Sequence, residues 1–243
     1  MRSMRTFLIL LAVLVVGLAV ADRVAVRAAQ DQLASRVIDR GGLSGGSVEV
    51  SIHGFPFLTQ VIRGRYTDIE VQARGVTLQD VQDLTVSAHL RGVRLSMSDL
   101  RASVRPDLPV DSADGYVVVP YDELARRGLE LGADEGLRAL SLRRAGTAVG
   151  VSATITVLGV EVTGSAEAGV SFTDGQPSLA VSAVDLGPLD VPDSVARAAV
   201  AVLNLALARA IDLPALPYGL ELTSVSATSA GVRINAAATD VVL

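Results

Sequence analysis

Val149-Gly150-Val151-Ser152-Ala153-Thr154-Ile155-Thr156-Val157-Leu158-Gly159-Val160-Glu161-Val162-Thr163-Gly164-Ser165-Ala166-Glu167-Ala168-Gly169-Val170-Ser171-Phe172 is the run that decides the fold class. Val149, Val151, Ala153, Ile155 and Val157 keep one parity, and Val160, Val162, Gly164, Ala166, Ala168, Val170 and Phe172 keep the other. Successive side chains of a strand point to opposite faces, so this period of two describes strands with one apolar and one polar face. The switch at Leu158-Gly159 marks a tight turn or a bulge. Strands of about 10 to 14 residues run roughly 33 to 46 Å, longer than most strands in globular proteins. They predict an elongated, curved, mainly antiparallel sheet.

The same alternation recurs on both sides. Val48, Val50 and Ile52 alternate with Ser47, Glu49, Ser51 and His53, and Ile69, Val71 and Ala73 with Asp68, Glu70, Gln72 and Arg74. Leu84, Val86, Ala88 and Leu90 form a further strand whose parity slips at Gly92 to Val93, Leu95 and Met97, which predicts a bulge. Residues 99–115, rich in charge, Pro and Gly, read as a loop or an edge, followed by a short strand Tyr116–Val119 and a helical turn Tyr121–Arg127. Leu179, Val181 and Ala183 begin another strand, and a hairpin turning at Ser229-Ala230-Gly231 closes the chain.

Two helices stand among these strands. Pro192-Asp193-Ser194 caps one that runs to about Ile211 and is apolar nearly all round, which means sheathed by protein or spanning a membrane; Arg197, Asn204 and Arg209 argue for sheathing. Val26, Ala29, Leu33 and Val37 recur at helical spacing from Asp22 to Arg40, an amphipathic helix. Before it, Arg2 and Arg5 precede an apolar run from Phe7 to Ala21 ending Ala19-Val20-Ala21, so residues 1–21 read as an export signal, either a cleaved peptide or a retained anchor. The expected fold is α+β: a curved sheet wrapped around the C-terminal apolar helix, plus the N-terminal amphipathic helix, in a single domain over residues 22–243.

Composition excludes several functions. The chain has no cysteine, so disulfides, thiolate metal sites and cysteine nucleophiles are absent. All 21 basic residues are arginine, and the net charge of −5 argues against nucleic acid and against bulk attraction to anionic membranes. Gly42-Leu43-Ser44-Gly45-Gly46 matches the G-x-S-x-G pattern of serine hydrolases, but a helix precedes it and a strand follows, the reverse of a nucleophile elbow. His53 and His89 fall on polar strand faces, far apart and without a carboxylate at metal or catalytic spacing, so both read as solvated. No catalytic residue, metal or cofactor is expected.

His53-Gly54-Phe55-Pro56-Phe57-Leu58-Thr59-Gln60-Val61-Ile62-Arg63-Gly64-Arg65 is the chemically distinctive stretch, with two of the four phenylalanines beside a proline and two arginines. It reads as an apolar corner leading into a short helical turn. Together with Tyr66 and the strand Asp68-Ile69-Glu70-Val71, the run Gly54-Phe55-Pro56-Phe57-Leu58-Thr59-Gln60 resembles the LmeA-like phospholipid-binding proteins of actinobacterial envelopes. The resemblance covers essentially residues 22–243. It implies an envelope protein that binds phospholipids, with phosphatidylinositol-type lipids as candidates, a shape related to tubular lipid-binding folds and, in mycobacterial members, a link to elongation of lipid-anchored mannan.

The expected function is therefore non-catalytic phospholipid binding in the cell envelope, at a membrane surface, with lipid transport and mere lipid holding both left open by the sequence. Acyl chains would lie between the sheet and the C-terminal helix around Leu203 and Leu207, with Phe55, Phe57, Leu58, Val61 and Ile62 at the mouth and Arg63 and Arg65 meeting the phosphate. An envelope scaffold that docks a protein partner through the Phe-Pro-Phe corner is the alternative, and a lipid hydrolase a more distant one.

Overall fold

Alternation along the chain becomes two antiparallel sheets. The computed structural model describes residues 2–41, 43–78, 80–96, 108–157, 159–173, 176–187, 191–211 and 220–242. Its strands are β1 (Leu43–Ser44), β2 (Ser47–His53), β3 (Arg65–Leu78), β4 (Val81–Arg94), β5 (Pro109–Pro120), β6 (Leu137–Ala145), β7 (Ala148–Val157), β8 (Val160–Thr173), β9 (Gln176–Asp185), β10 (Glu221–Ala227) and β11 (Gly231–Val242). Its helices are α1 (Arg2–Gly41), α2 (Phe57–Arg63), α3 (Tyr121–Gly132) and α4 (Asp193–Ile211). The first sheet has the order β1-β3-β4-β5-β11-β10, with β2 also on β3; the second is the meander β6-β7-β8-β9.

The decisive run forms the β7–β8 hairpin, in register from Val157 opposite Val160 to Val149 opposite Ala168, with Gly159 at φ 80° in its turn. Apolar parity on both sheets feeds one large core. It takes Val76, Leu84, Val232 and Ile234 from the first sheet, Leu137, Val149, Val151 and Leu179 from the second, Leu124 from α3, and Val195, Leu203, Leu207 and Ile211 from α4. The α+β class, the long antiparallel strands, the apolar C-terminal helix and the N-terminal helix are as expected. The strands divide between two sheets, both contributing to the core that contains α4.

Four local readings change. Pro109–Pro120 is one strand, so much of the segment read as a loop or edge is regular sheet; residues 97–107, with Met97, lie outside the described residues. The charges that looked like loop residues are cross-strand partners: Asp111 pairs with Arg65 and Arg94, and Asp114 with Arg91. Second, α3 continues to Gly132 and β6 follows. Gly128 and Gly132 permit close approach, since a Cβ on Gly128 would lie 2.7 Å from Leu140 and one on Gly132 3.1 Å from Ala206.

Third, the Gly45-Gly46 pair kinks an edge strand. β1 and β2 both pair with β3, and both glycines have positive φ; a Cβ on Gly46 would fall 2.2 Å from the Arg74 carbonyl oxygen. Ser44 is exposed opposite Thr77, so no nucleophile elbow forms there; Gly42 lies outside the described residues. Fourth, the N-terminal apolar run and the amphipathic segment form a single helix, α1. Neither Pro nor a Gly pair interrupts it, and the isolated Gly17 costs only about 1 kcal/mol relative to Ala.

Candidate functional site

At the α1 end of the first sheet the packing departs from the close-packed norm. A second, smaller cluster gathers Val26 of α1, Ile52 of β2, Phe57 of α2, Tyr66 of β3, Val93 of β4 and Val110 of β5. Around it lies a cavity of about 1020 Å³. Its walls are Ala25, Ala28, Ala29 and Leu33 of α1, Val50 and Ile52 of β2, Phe57, Leu58 and Val61 of α2, Tyr66, Ile69 and Val71 of β3, and Leu90, Val93 and Leu95 at the end of β4, with Leu108 beside them. Asp31, Gln32 and Ser35 complete the α1 side; these three and Ala28 are exposed, so the cavity opens outward along the helix.

Sequence places these residues together for two reasons. Strand parity sends Ile52, Ile69 and Leu90, which sit opposite one another across β2, β3 and β4, to one face. Gly92, at φ 67°, then shifts the parity so that Leu90 and Val93 both reach the cavity. The small residues Ala25, Ala28 and Ala29 keep α1 from filling the space that larger side chains would occupy.

α2 is held by residues that are distant in sequence. Its N-cap, Pro56, follows a cis peptide bond and provides no side-chain cap. Asp22 of α1, 2% exposed, supplies one instead: the Phe57 N–H donates to its Oδ2 at 3.0 Å and the Leu58 N–H to its Oδ1 at 2.8 Å. Buried Gln60 ties the other side down, donating to the His53 carbonyl oxygen at 3.2 Å and accepting from the Thr67 N–H at 2.9 Å. Phe57 and Tyr66 meet ring to ring at 6.3 Å between centroids, and burial pushes the Tyr66 hydroxyl pKa up. Asp22 and Gln60 were not anticipated. Asp22 read as the first residue past an export signal, and only its burial against α2 shows its task.

The expected site residues separate into three groups. Phe57, Leu58 and Val61 line the cavity. Phe55 and Ile62 point outward, 62% and 84% exposed, and the Arg23 guanidinium lies 5.3 Å from the Phe55 ring centroid. Leu203 and Leu207, at 1% and 0% exposure, stand in the large core; the space beside Leu203 amounts to about 10 Å³, because Val151, Ala153, Ile155 and Ala199 fill it. Among the described residues the larger space lies beside α1 and the smaller beside Leu203 of α4. Arg63 is exposed at the end of α2, whereas Arg65 donates to Asp111 at 2.6 Å. Arg94 on the same carboxylate, with Arg65, holds the Asp111 pKa below the usual aspartate range.

The two histidines are closer than their spacing implied. His53 Nε2 lies 3.0 Å and His89 Nε2 3.7 Å from the Glu70 carboxylate, with His89 Nδ1 3.4 Å from Asp68. Hydrogen bonds from Gln72 and His53 lower the Glu70 pKa. This group occupies the sheet face opposite the cavity, since Ile52, Ile69 and Leu90 alternate with His53, Glu70 and His89. Among the described residues no group of three or more His, Asp or Glu side chains is arranged to hold a metal ion.

Because the cavity opens along α1, solvent reaches it in the absence of a ligand. Its inner walls are almost wholly apolar, leaving water few hydrogen-bond partners and favouring an apolar occupant. The volume lies at the top of the range of small-molecule pockets, about 300–1,000 Å³.

Comparison with known protein families gives a match over most of the chain. The family model described as LmeA-like phospholipid-binding covers residues 20–237. No curated protein and no solved structure matches the chain.

Proposed function

The chain belongs to the LmeA-like phospholipid-binding family, and on that premise we propose that it holds the acyl chains of a phospholipid between α1 and the apolar face of β2, β3 and β4. The observation that carries this reading is the apolar cavity of about 1020 Å³. Each methylene moved from water into it contributes about 0.8 kcal/mol, so about ten offset the costs of association and still leave useful affinity. Phe57, Leu58 and Val61 close the end of the cavity at α2. Exposed Arg63 is the cation available to a lipid phosphate, while Arg65 answers to Asp111.

On this reading the protein acts by binding, and Ser44 and the His53–Glu70–His89 group lie outside the lining of the cavity. We place it outside the plasma membrane, exported by its N-terminal segment, exchanging lipid with a membrane surface in the cell envelope. Phosphatidylinositol-type lipid, and a supporting role in envelope lipoglycan synthesis, are the candidates that the family resemblance brings.

The test uses delipidated full-length protein titrated with a phospholipid fluorescent in its acyl chain. Saturable binding that Ala29→Trp reduces at least tenfold, by filling the cavity from α1, is expected. Absence of binding, or binding indifferent to Ala29→Trp in a folded variant, would overturn the reading.

A further inference from the structure

Six apolar side chains at one end of the molecule are left uncovered by the described residues. Phe55 and Ile62 project from the α2 corner, and Val16, Leu18, Val20 and Val24 stand 57% to 62% exposed along α1. At about 100° per residue Val16, Val20 and Val24 share one stripe of the helix while Leu18 points to the opposite side, so no single docking face could bury all four, whereas hydrocarbon surrounds a helix on every side. The two groups adjoin, because Asp22 bonds α1 to the start of α2 and Arg23 lies over Phe55.

From this juxtaposition we propose that the α2 corner is a membrane-docking tip: α1 enters the bilayer up to about Ala21, and Phe55 and Ile62 insert into its interfacial layer. Arg23 and Arg63 follow directly on these apolar groups, at the depth where guanidinium heads reach lipid phosphates while their stems stay apolar. Net charge of −5 makes the contact apolar and local, with two arginines and no broad basic face.

The inference rests on the lipid-binding reading and extends it to the source of the lipid. α2 is the partition between bilayer and cavity: Phe57 and Val61 face the cavity, Ile62 faces out, and Leu58 lies at both. A chain leaving the bilayer passes one helical turn to enter the cavity.

The chain has no cysteine, so one can be placed at will. Full-length Ile62→Cys and, as control, Glu161→Cys on exposed β8 are labelled with an environment-sensitive fluorophore and bound to phosphatidylglycerol–phosphatidylethanolamine vesicles containing brominated lipid. The label at position 62 is expected to shift to the blue and lose at least half its emission to bromine, the label at 161 to stay unchanged. A water-exposed label at 62 on vesicle-bound protein would overturn the proposal, including the case in which a protein partner covers that corner instead. Native mass spectrometry of the same samples reads the cavity separately: quenching at 62 without bound lipid would uphold docking and sink the lipid-holding reading.

Discussion

Asp22 joins two elements 35 residues apart by taking the first two free N–H groups of α2 on one carboxylate. Removing it leaves one buried and one part-buried donor without a partner, so Asp22→Ala is expected to lower stability by about 1–3 kcal/mol, with Asp22→Asn retaining part of the bond; urea unfolding measures both. Asp111 makes a different kind of link, on the surface. Its pKa is lowered in the folded state by Arg94 and Arg65, so the stabilisation from these pairs is present above the ordinary aspartate value of about 4 and is lost as pH falls through the folded value. Wild type should therefore lose stability more steeply than Asp111→Asn below about pH 4, in unfolding followed against pH, with a small difference because all three groups are exposed to solvent screening.

Among the elements, α4 shows what its one central amide does. Asn204 accepts from the Val181 N–H at 2.7 Å and donates to the Val181 carbonyl oxygen at 3.0 Å, meeting edge strand β9 as a further strand would. Asn204→Leu makes the helix more apolar yet should destabilise the protein by about 1–3 kcal/mol and promote edge-to-edge association, read by unfolding and by light scattering. Sequence showed that Asn204 disfavours a membrane span; its partner was invisible because the contact crosses 23 residues and two elements. Legibility followed periodicity. The β7–β8 hairpin and α4 could be read because parity or helical spacing persists over many residues. β5 could not, since Asp111, Asp114 and Gly115 carry loop chemistry until their cross-strand partners are placed. The α2 corner was legible as an apolar site by composition, while Leu203 and Leu207 were not separable from cavity residues, because a leucine facing close packing and one facing a void look alike in sequence.

Across the whole molecule, the two ends of the fold differ in how completely they are packed. The large core holds both sheets, α3 and α4, and leaves about 10 Å³ beside Leu203, whereas the space between α1 and β2–β4 leaves about 1020 Å³. On the proposed reading, stability resides in the first and ligand capacity in the second. It follows that Leu203→Ala should cost about 2–5 kcal/mol with lipid binding preserved in the folded fraction, and Ala29→Trp should do the reverse, losing lipid at little cost in stability. Native mass spectrometry of the full-length protein purified from the cells that produce it tests the central claim most directly: wild type is expected to carry the mass of a phospholipid and Ala29→Trp to carry none, while a wild type without lipid, or equal lipid on both, would contradict it.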